Sequence, residues 1–287
     1  MKKFITLWNN WIKSWMSSFS TFSKVNMGVY GKYFQVDYMP EPYLGNPNNS
    51  SFVIINLNPG RGCCHSWHYL QSVSDTLINR VKTKTYSNIA FSFPYLRNQR
   101  SIKLKNWELN GGRIWWKSKI DWINYIYCAA GLDCNIDDIK PFAIELCAWH
   151  SPSWKLDTKK LCSGSLPSCI FYNCIIDIIC QAIDKSKLKF GYCVGKAIGD
   201  VLCCHGFSDV TSSIGCSSRP ITSINRSYRV LRDQHNRYVI NTWAQGSNRY
   251  PAKNFWPEEK IIINAIYKHL KISVHPSTHC STKNTHP

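Results

Sequence analysis

A short apolar run that halts at a proline is what most constrains the fold of this chain. Ser51-Phe52-Val53-Ile54-Ile55 leads directly into Asn56-Leu57-Asn58-Pro59-Gly60. A run this short, β-branched and without polar alternation reads as a buried parallel strand. Pro59 has no N–H to give a ladder, so the strand ends there. Gly60 then lets the backbone turn sharply, or lets another group approach it closely. The amide of Asn58 is thereby placed at the carboxyl end of a first strand, where open α/β sheets put their ligand crevices.

Three further strands are expected. Phe142-Ala143-Ile144-Glu145-Leu146-Cys147 lies between Pro141 and Trp149-His150-Ser151-Pro152. Phe190-Gly191-Tyr192-Cys193-Val194 runs into Gly195-Lys196-Ala197-Ile198, which opens a helix. Arg237 to Thr242 leads into a polar loop from Ala244 to Asn254, after which Pro257-Glu258-Glu259 starts another helix, with its acids at the positive end. Helical patterns also fill Lys119 to Ala130 and Phe171 to Ile183. Alternating strands and helices predict an α/β fold: a three-layer sandwich around a small central four-stranded, mainly parallel sheet.

The expected α/β domain covers 40–272. Residues 1–39 form a basic, aromatic N-terminal helical extension, in which Phe4, Leu7, Trp8, Ile12 and Trp15 recur at helical spacing. That helix either packs on the main body or lies on a membrane surface. Residues 273–287 are a polar tail expected to be loose.

Charge narrows the partners. With 35 Lys and Arg against 17 Asp and Glu, the net charge is +18. Such a surplus points to a polyanion, with nucleic acid ahead of an anionic membrane, or to a generic basic surface. Aromatic residues interleave with the basic ones, as in Trp107 and Arg113-Ile114-Trp115-Trp116-Lys117, a mixture suited to phosphate contact and base stacking. The 14 cysteines include no Cys-x2-Cys pair. No secretory signal pattern opens the chain and no apolar run reaches transmembrane length. The thiols are therefore expected to be reduced, in the cytoplasm, filling core space. A metal on Cys203, Cys204 and His205, or an iron–sulfur site on Cys162, Cys169, Cys174 and Cys180, is the alternative; the favoured expectation is no metal and no cofactor.

Asn56-Leu57-Asn58-Pro59-Gly60 resembles the first motif of the uracil-DNA glycosylase superfamily. In its mismatch-specific and single-strand-selective branches this motif reads Gly-Ile-Asn-Pro-Gly or Gly-Met-Asn-Pro-Gly; here Asn56 replaces the leading glycine. Glu41-Pro42-Tyr43-Leu44-Gly45-Asn46-Pro47-Asn48 is also similar to bacterial members, and the likeness extends over about residues 40–270. The resemblance implies a uracil-DNA-glycosylase-like fold and an enzyme that flips a base out of DNA and hydrolyses its N-glycosidic bond, leaving an abasic site. It makes Asn58 the residue that holds the attacking water. An amide orients water but is a poor base, so catalysis would rest on stabilising the leaving group and the oxocarbenium ion. The competing reading has Asn58 capping a turn.

The same resemblance assigns the base pocket. Gly60 stands where uracil-specific members carry a tyrosine that excludes thymine, and it leaves room for a group at C5. Glu145 aligns with a base-reading asparagine. An ionised carboxylate only accepts hydrogen bonds, which suits the exocyclic amine of cytosine; its alternative is an ion pair with Lys119 or Lys140. Gly60 and Glu145 together imply a 5-substituted cytosine, such as the glucosylated hydroxymethylcytosine of phage genomes, and hence a role in antiviral defence. Uracil or mismatched-thymine repair is the alternative substrate reading, and a catalytically inactive DNA-binding or sensing module is the alternative class.

His150, beside Ser151, would hydrogen-bond the base O2 or a phosphate, or have no role. Trp67 or Tyr69 would stack on the base. Lys196 and Arg61 would meet phosphates. In the loop after the fourth strand, Gln245, Ser247 and Asn248 would donate hydrogen bonds, and Arg249 or Tyr250 would enter the duplex. The family's second motif, His-Pro-Ser, matches His275-Pro276-Ser277 only in the tail, which we read as coincidence. The expected partner is DNA, with no membrane, the chain acting as a monomer.

Overall fold

The computed structural model describes residues 2–17, 19–38, 40–44, 50–60, 122–132, 141–217, 226–244 and 253–273. Its strands are β1 (Tyr43–Leu44), β2 (Phe52–Asn56), β3 (Pro141–Glu145), β4 (Phe190–Val194), β5 (Ser208–Asp209), β6 (Arg226–Arg232) and β7 (Tyr238–Ala244). Its α-helices among the described residues are α1 (Lys2–Ser17), α2 (Phe19–Phe22), α3 (122–129), α4 (Thr158–Cys162), α5 (Ile175–Lys185), α6 (Lys196–Cys204) and α7 (Trp256–Leu270).

The fold is α/β around one mixed sheet of seven strands, in the order β1-β3-β2-β4-β7-β6-β5. Pairing is parallel between β3 and β2, between β2 and β4, and between β4 and β7. Antiparallel strands extend both sides: β1 on β3, and β6 then β5 beyond β7. The sheet is therefore wider than the expected four strands. β1 and β5 have two residues each, too few to show any period. β6 reads Arg-Ser-Tyr-Arg-Val-Leu-Arg, and its charges disguise a strand whose Val230 and Leu231 are buried.

Each face of the sheet carries its own hydrophobic cluster, as the two-residue alternation of strands requires. Val53, Ile55, Phe142, Ile144, Cys193 and Val239 share one cluster with residues of α1, α5 and α6. Phe52, Ile54, Ala143, Tyr192 and Ile240 share the other with residues of α3 and α7. Both faces are thus covered by helices.

The N-terminal helix packs on the body. Phe4, Trp8, Ile12 and Trp15 are buried, and they recur at the spacing that lines one side of a helix. Phe4 meets Tyr43 with ring centroids 5.6 Å apart, and Trp15 Nε1 donates to the Val36 carbonyl at 2.7 Å. No helix among the described residues is long and apolar enough to cross a membrane.

Glu259 lies in the first turn of α7, as expected. It is fully buried and accepts from Trp122 Nε1 at 3.1 and 3.2 Å and from the Tyr192 hydroxyl. One local expectation is corrected. The cysteines are not all free: Cys162 at the end of α4 and Cys204 at the end of α6 form a disulfide with their Cα atoms 5.5 Å apart. That bond takes one thiol from each of the two conceivable metal sets. Cys147, Cys169 and Cys180 keep their thiols, and burial pushes all three up to about 12, as inert core residues should be.

Candidate functional site

The chain order fixes where a crevice belongs. From β2 the chain crosses to β3 on one side, then returns past β2 to β4 on the other. Connections leaving the carboxyl ends of β2 and β4 in opposite directions create the switch point where ligands bind in open α/β sheets. Asn56, Leu57 and Asn58 lie at that end of β2; Gly195 and Lys196 lie at that end of β4.

After β2 the chain does not turn away. It continues beside the residues that follow β3: Leu146 N donates to Asn56 O, Cys147 N to Leu57 O and Ser151 N to Gly60 O, each at 2.9 Å. The exits of the two strands are joined along their length, and this positions the polar side chains between them.

Asn58 is half-buried. Its Nδ2 donates to Ser151 Oγ at 2.8 Å and, more weakly, to the Trp149 carbonyl at 3.4 Å. A carbonyl can only accept, so the second contact fixes which way the amide points. Oδ1 is turned away from both and has no hydrogen bond among the described residues. What Asn58 offers is therefore an oriented acceptor on a rigid mount.

Glu145 sits one strand over. It pairs in register with Asn56, and Asn56 Nδ2 donates to its Oε1 at 2.9 Å. The other oxygen, Oε2, is buried and has no hydrogen-bond partner among the described residues. The residue as a whole is half-buried. No Lys or Arg pairs with Glu145 among the described residues; Lys119 and Lys140, the expected alternatives, lie outside them. Burial, reinforced by the nearby Glu41 carboxyl and only partly offset by the Asn56 amide, raises Glu145 well above the usual carboxylate range. Burial alone raises Glu41 to about 7. An unpaired buried polar oxygen costs about 1–3 kcal/mol; an incoming N–H donor would relieve Oε2 in the ionised form, and an acceptor would relieve it in the protonated form that burial favours.

Gly60 has φ +80°, and a Cβ built on it would have nothing within 4 Å among the described residues. The open space agrees with a pocket wall lacking a side chain, but the backbone alone already accounts for the glycine. His150 is 4% exposed, with its ring centroid 5.7 Å from that of Tyr38, and its carbonyl accepts from Gln35 N at 2.8 Å. The ring is thus enclosed by the protein. Lys196 is exposed at the first position of α6. The start of α6 is held by Arg229, which donates to the Lys196 carbonyl at 3.1 Å and to Asp200 at 2.7 Å.

Arg61, Trp67, Tyr69, Gln245, Ser247, Asn248, Arg249 and Tyr250 lie outside the described residues, as does His275-Pro276-Ser277. The structure therefore brings Asn58 and Gly60 against Ser151, sets Glu145 against Asn56 in the adjoining register, and keeps Lys196 at the neighbouring strand end. Two members of the arrangement escaped the sequence reading. Asn56 stood out only as a departure from a motif, because its partner Glu145 lies 89 positions away. Glu41 lies in a loop without periodicity and gave no signal of its own.

No family model, curated protein or solved structure matches this chain.

Proposed function

We propose that this chain is a DNA glycosylase with a three-layer, uracil-DNA-glycosylase-like sandwich, acting on a base flipped out of DNA. The observation that carries the reading is the orientation of Asn58: Nδ2 is tied to Ser151 and Trp149, so Oδ1 is left to accept a proton of water at the carboxyl end of β2. That water's oxygen attacks C1′, the C1′–N bond breaks with its electron pair leaving on the base, and the proton shed by the water passes through solvent to the departed base anion. Asn58 only orients the water. The leaving base must therefore take its charge with it, in a basic chain of net charge +18.

The substrate reading follows from the neighbours. Glu145 Oε2 has no hydrogen-bond partner among the described residues and, once ionised against an incoming N–H, is an acceptor matched to the exocyclic amine of a cytosine-type base. The space beside Gly60 admits a substituent at C5. Together they support a 5-substituted cytosine, such as glucosylated hydroxymethylcytosine, over uracil or mismatched thymine, and with that substrate a role in antiviral defence. The burial of His150 favours a second reading, a DNA-binding or sensing module without catalysis, because it withdraws an imidazole from the leaving base.

Abasic-site formation on DNA carrying uracil, a thymine mismatch or glucosylated hydroxymethylcytosine tests the proposal. Product with the wild type, and at least about 100-fold less with Asn58→Ala, supports the enzyme. Retention of DNA with no product on any base supports the binding module. Neither product nor retention ends both readings.

A further inference from the structure

We infer that Asn56 is a specificity-positioning residue: by holding one atom of residue 145, it decides which atom of that residue meets the base. The inference rests on the glycosylase reading and deepens it.

The geometry is local and directional. Asn56 and Glu145 are register partners at the carboxyl ends of two adjacent parallel strands, so their side chains leave the same face of the sheet. Asn56 Nδ2 donates to Oε1 at 2.9 Å, and a donor can only be met by an acceptor. Oε1 is therefore committed as an acceptor, and everything residue 145 has left to say to a ligand is said by its second atom. In the native protein that atom is Oε2, buried and without a hydrogen bond among the described residues. Ionised, it accepts from an exocyclic amine. An N–H brought against it favours the ionised form, opposing the Glu41 carboxyl nearby.

A glutamine at 145 has the same shape and a different second atom. Asn56 Nδ2 would still select the amide oxygen, so Nε2 would be held where Oε2 stood. The site would then donate where it had accepted, and suit the O4 of uracil or thymine in place of the amine of cytosine. Without Asn56 the amide is free to turn, and neither presentation is enforced. The leading glycine of the resembled motif has no side chain to do this; Asn56 does.

The experiment measures kcat/KM on two DNA duplexes, one carrying a cytosine-type base that the wild type cleaves and one carrying uracil, and takes their ratio for four proteins. Glu145→Gln should shift the ratio toward uracil by about 100-fold relative to wild type, since each good hydrogen-bond match carries roughly 10-fold or more of discrimination. In Asn56→Ala/Glu145→Gln the ratio should fall within about 10-fold of unity. Asn56→Ala alone should lower the cytosine preference by about 10-fold, and this single variant decides the matter if Glu145→Gln does not fold. A purely structural Asn56 would slow both substrates alike and leave every ratio where it was, which overturns the inference while sparing the glycosylase. Absence of product from the wild type on every base overturns the glycosylase reading and this inference with it.

Discussion

Asn58 donates its side-chain amide to Ser151 Oγ at 2.8 Å, tying the exit of β2 to the exit of β3. The acceptor is itself anchored. Trp149, two residues before it, is fully buried and donates through Nε1 to the Cys169 carbonyl at 2.6 Å, and the His150 carbonyl accepts from Gln35 N. An amide mounted in this way does not have to be ordered when a ligand arrives, and that is worth most in the step where geometry matters.

Ser151→Ala removes the nearer acceptor and leaves Asn58 held by the long contact to Trp149. A neutral hydrogen bond contributes about 1 kcal/mol, so kcat should fall roughly 5- to 10-fold on whichever DNA the wild type cleaves, with KM little changed. Single-turnover kinetics read this directly. A change confined to KM would contradict an orienting role for the bond.

Gly60 adopts φ +80° with open space around the missing Cβ. Gly60→Ala should then destabilise through the backbone alone, by about 1–2 kcal/mol, and Gly60→Asn by less, because asparagine tolerates left-handed conformations. Urea denaturation midpoints check the order. A stability unchanged in Gly60→Ala would show that the turn relaxes.

Glu41 carries a pH signature. Its carboxyl is raised from 4.5 to about 7 in the folded chain, so between those values the folded state holds a proton that the unfolded state has lost. The contribution is fully present below pH 4.5 and is lost as pH rises through 7, at most roughly 3 kcal/mol by linkage. Glu145, shifted in the same direction by burial and by Glu41, adds to it. Melting temperatures measured from pH 4.5 to 8 should fall with pH more steeply in the wild type than in Glu41→Gln. Parallel curves for the two proteins would remove Glu41 as the cause.

What the sequence showed and what it hid divide on physical lines. Buried strands advertise themselves as unbroken apolar runs, so the residues of β2, β3, β4 and β7 were visible. β6 was not, because Arg229 looks like a surface residue until Asp200 and Asn241, distant in the chain, are found bonded to it at 2.7 and 2.9 Å. At the site, Pro59 marks the end of a strand from local chemistry alone, which made Asn58 conspicuous. Its acceptor Ser151 lies 93 positions away, and the Asn56–Glu145 bond spans 89; no local rule reaches so far. The burial of Glu259 was hidden for a related reason. An acid in a first helical turn suits the helix dipole, and the tyrosine and tryptophan that draw this one inward come from other elements.

Glu259 accordingly supplies the sharpest stability test in the fold. Its carboxyl accepts from Trp122 of α3 and from Tyr192 of β4, so one group ties both helices of that face to the sheet. Glu259→Leu should cost about 2–4 kcal/mol, because the buried donors aimed at it lose their acceptor. Tyr192→Phe removes one of those donors. In the protein carrying both changes the loss should be smaller than the sum of the two, since the leucine then leaves one fewer polar group stranded. Guanidinium unfolding of the two single variants and the pair gives the coupling directly, and strict additivity would mean that the Tyr192 hydroxyl is satisfied elsewhere, through Thr242 Oγ1 at 3.4 Å.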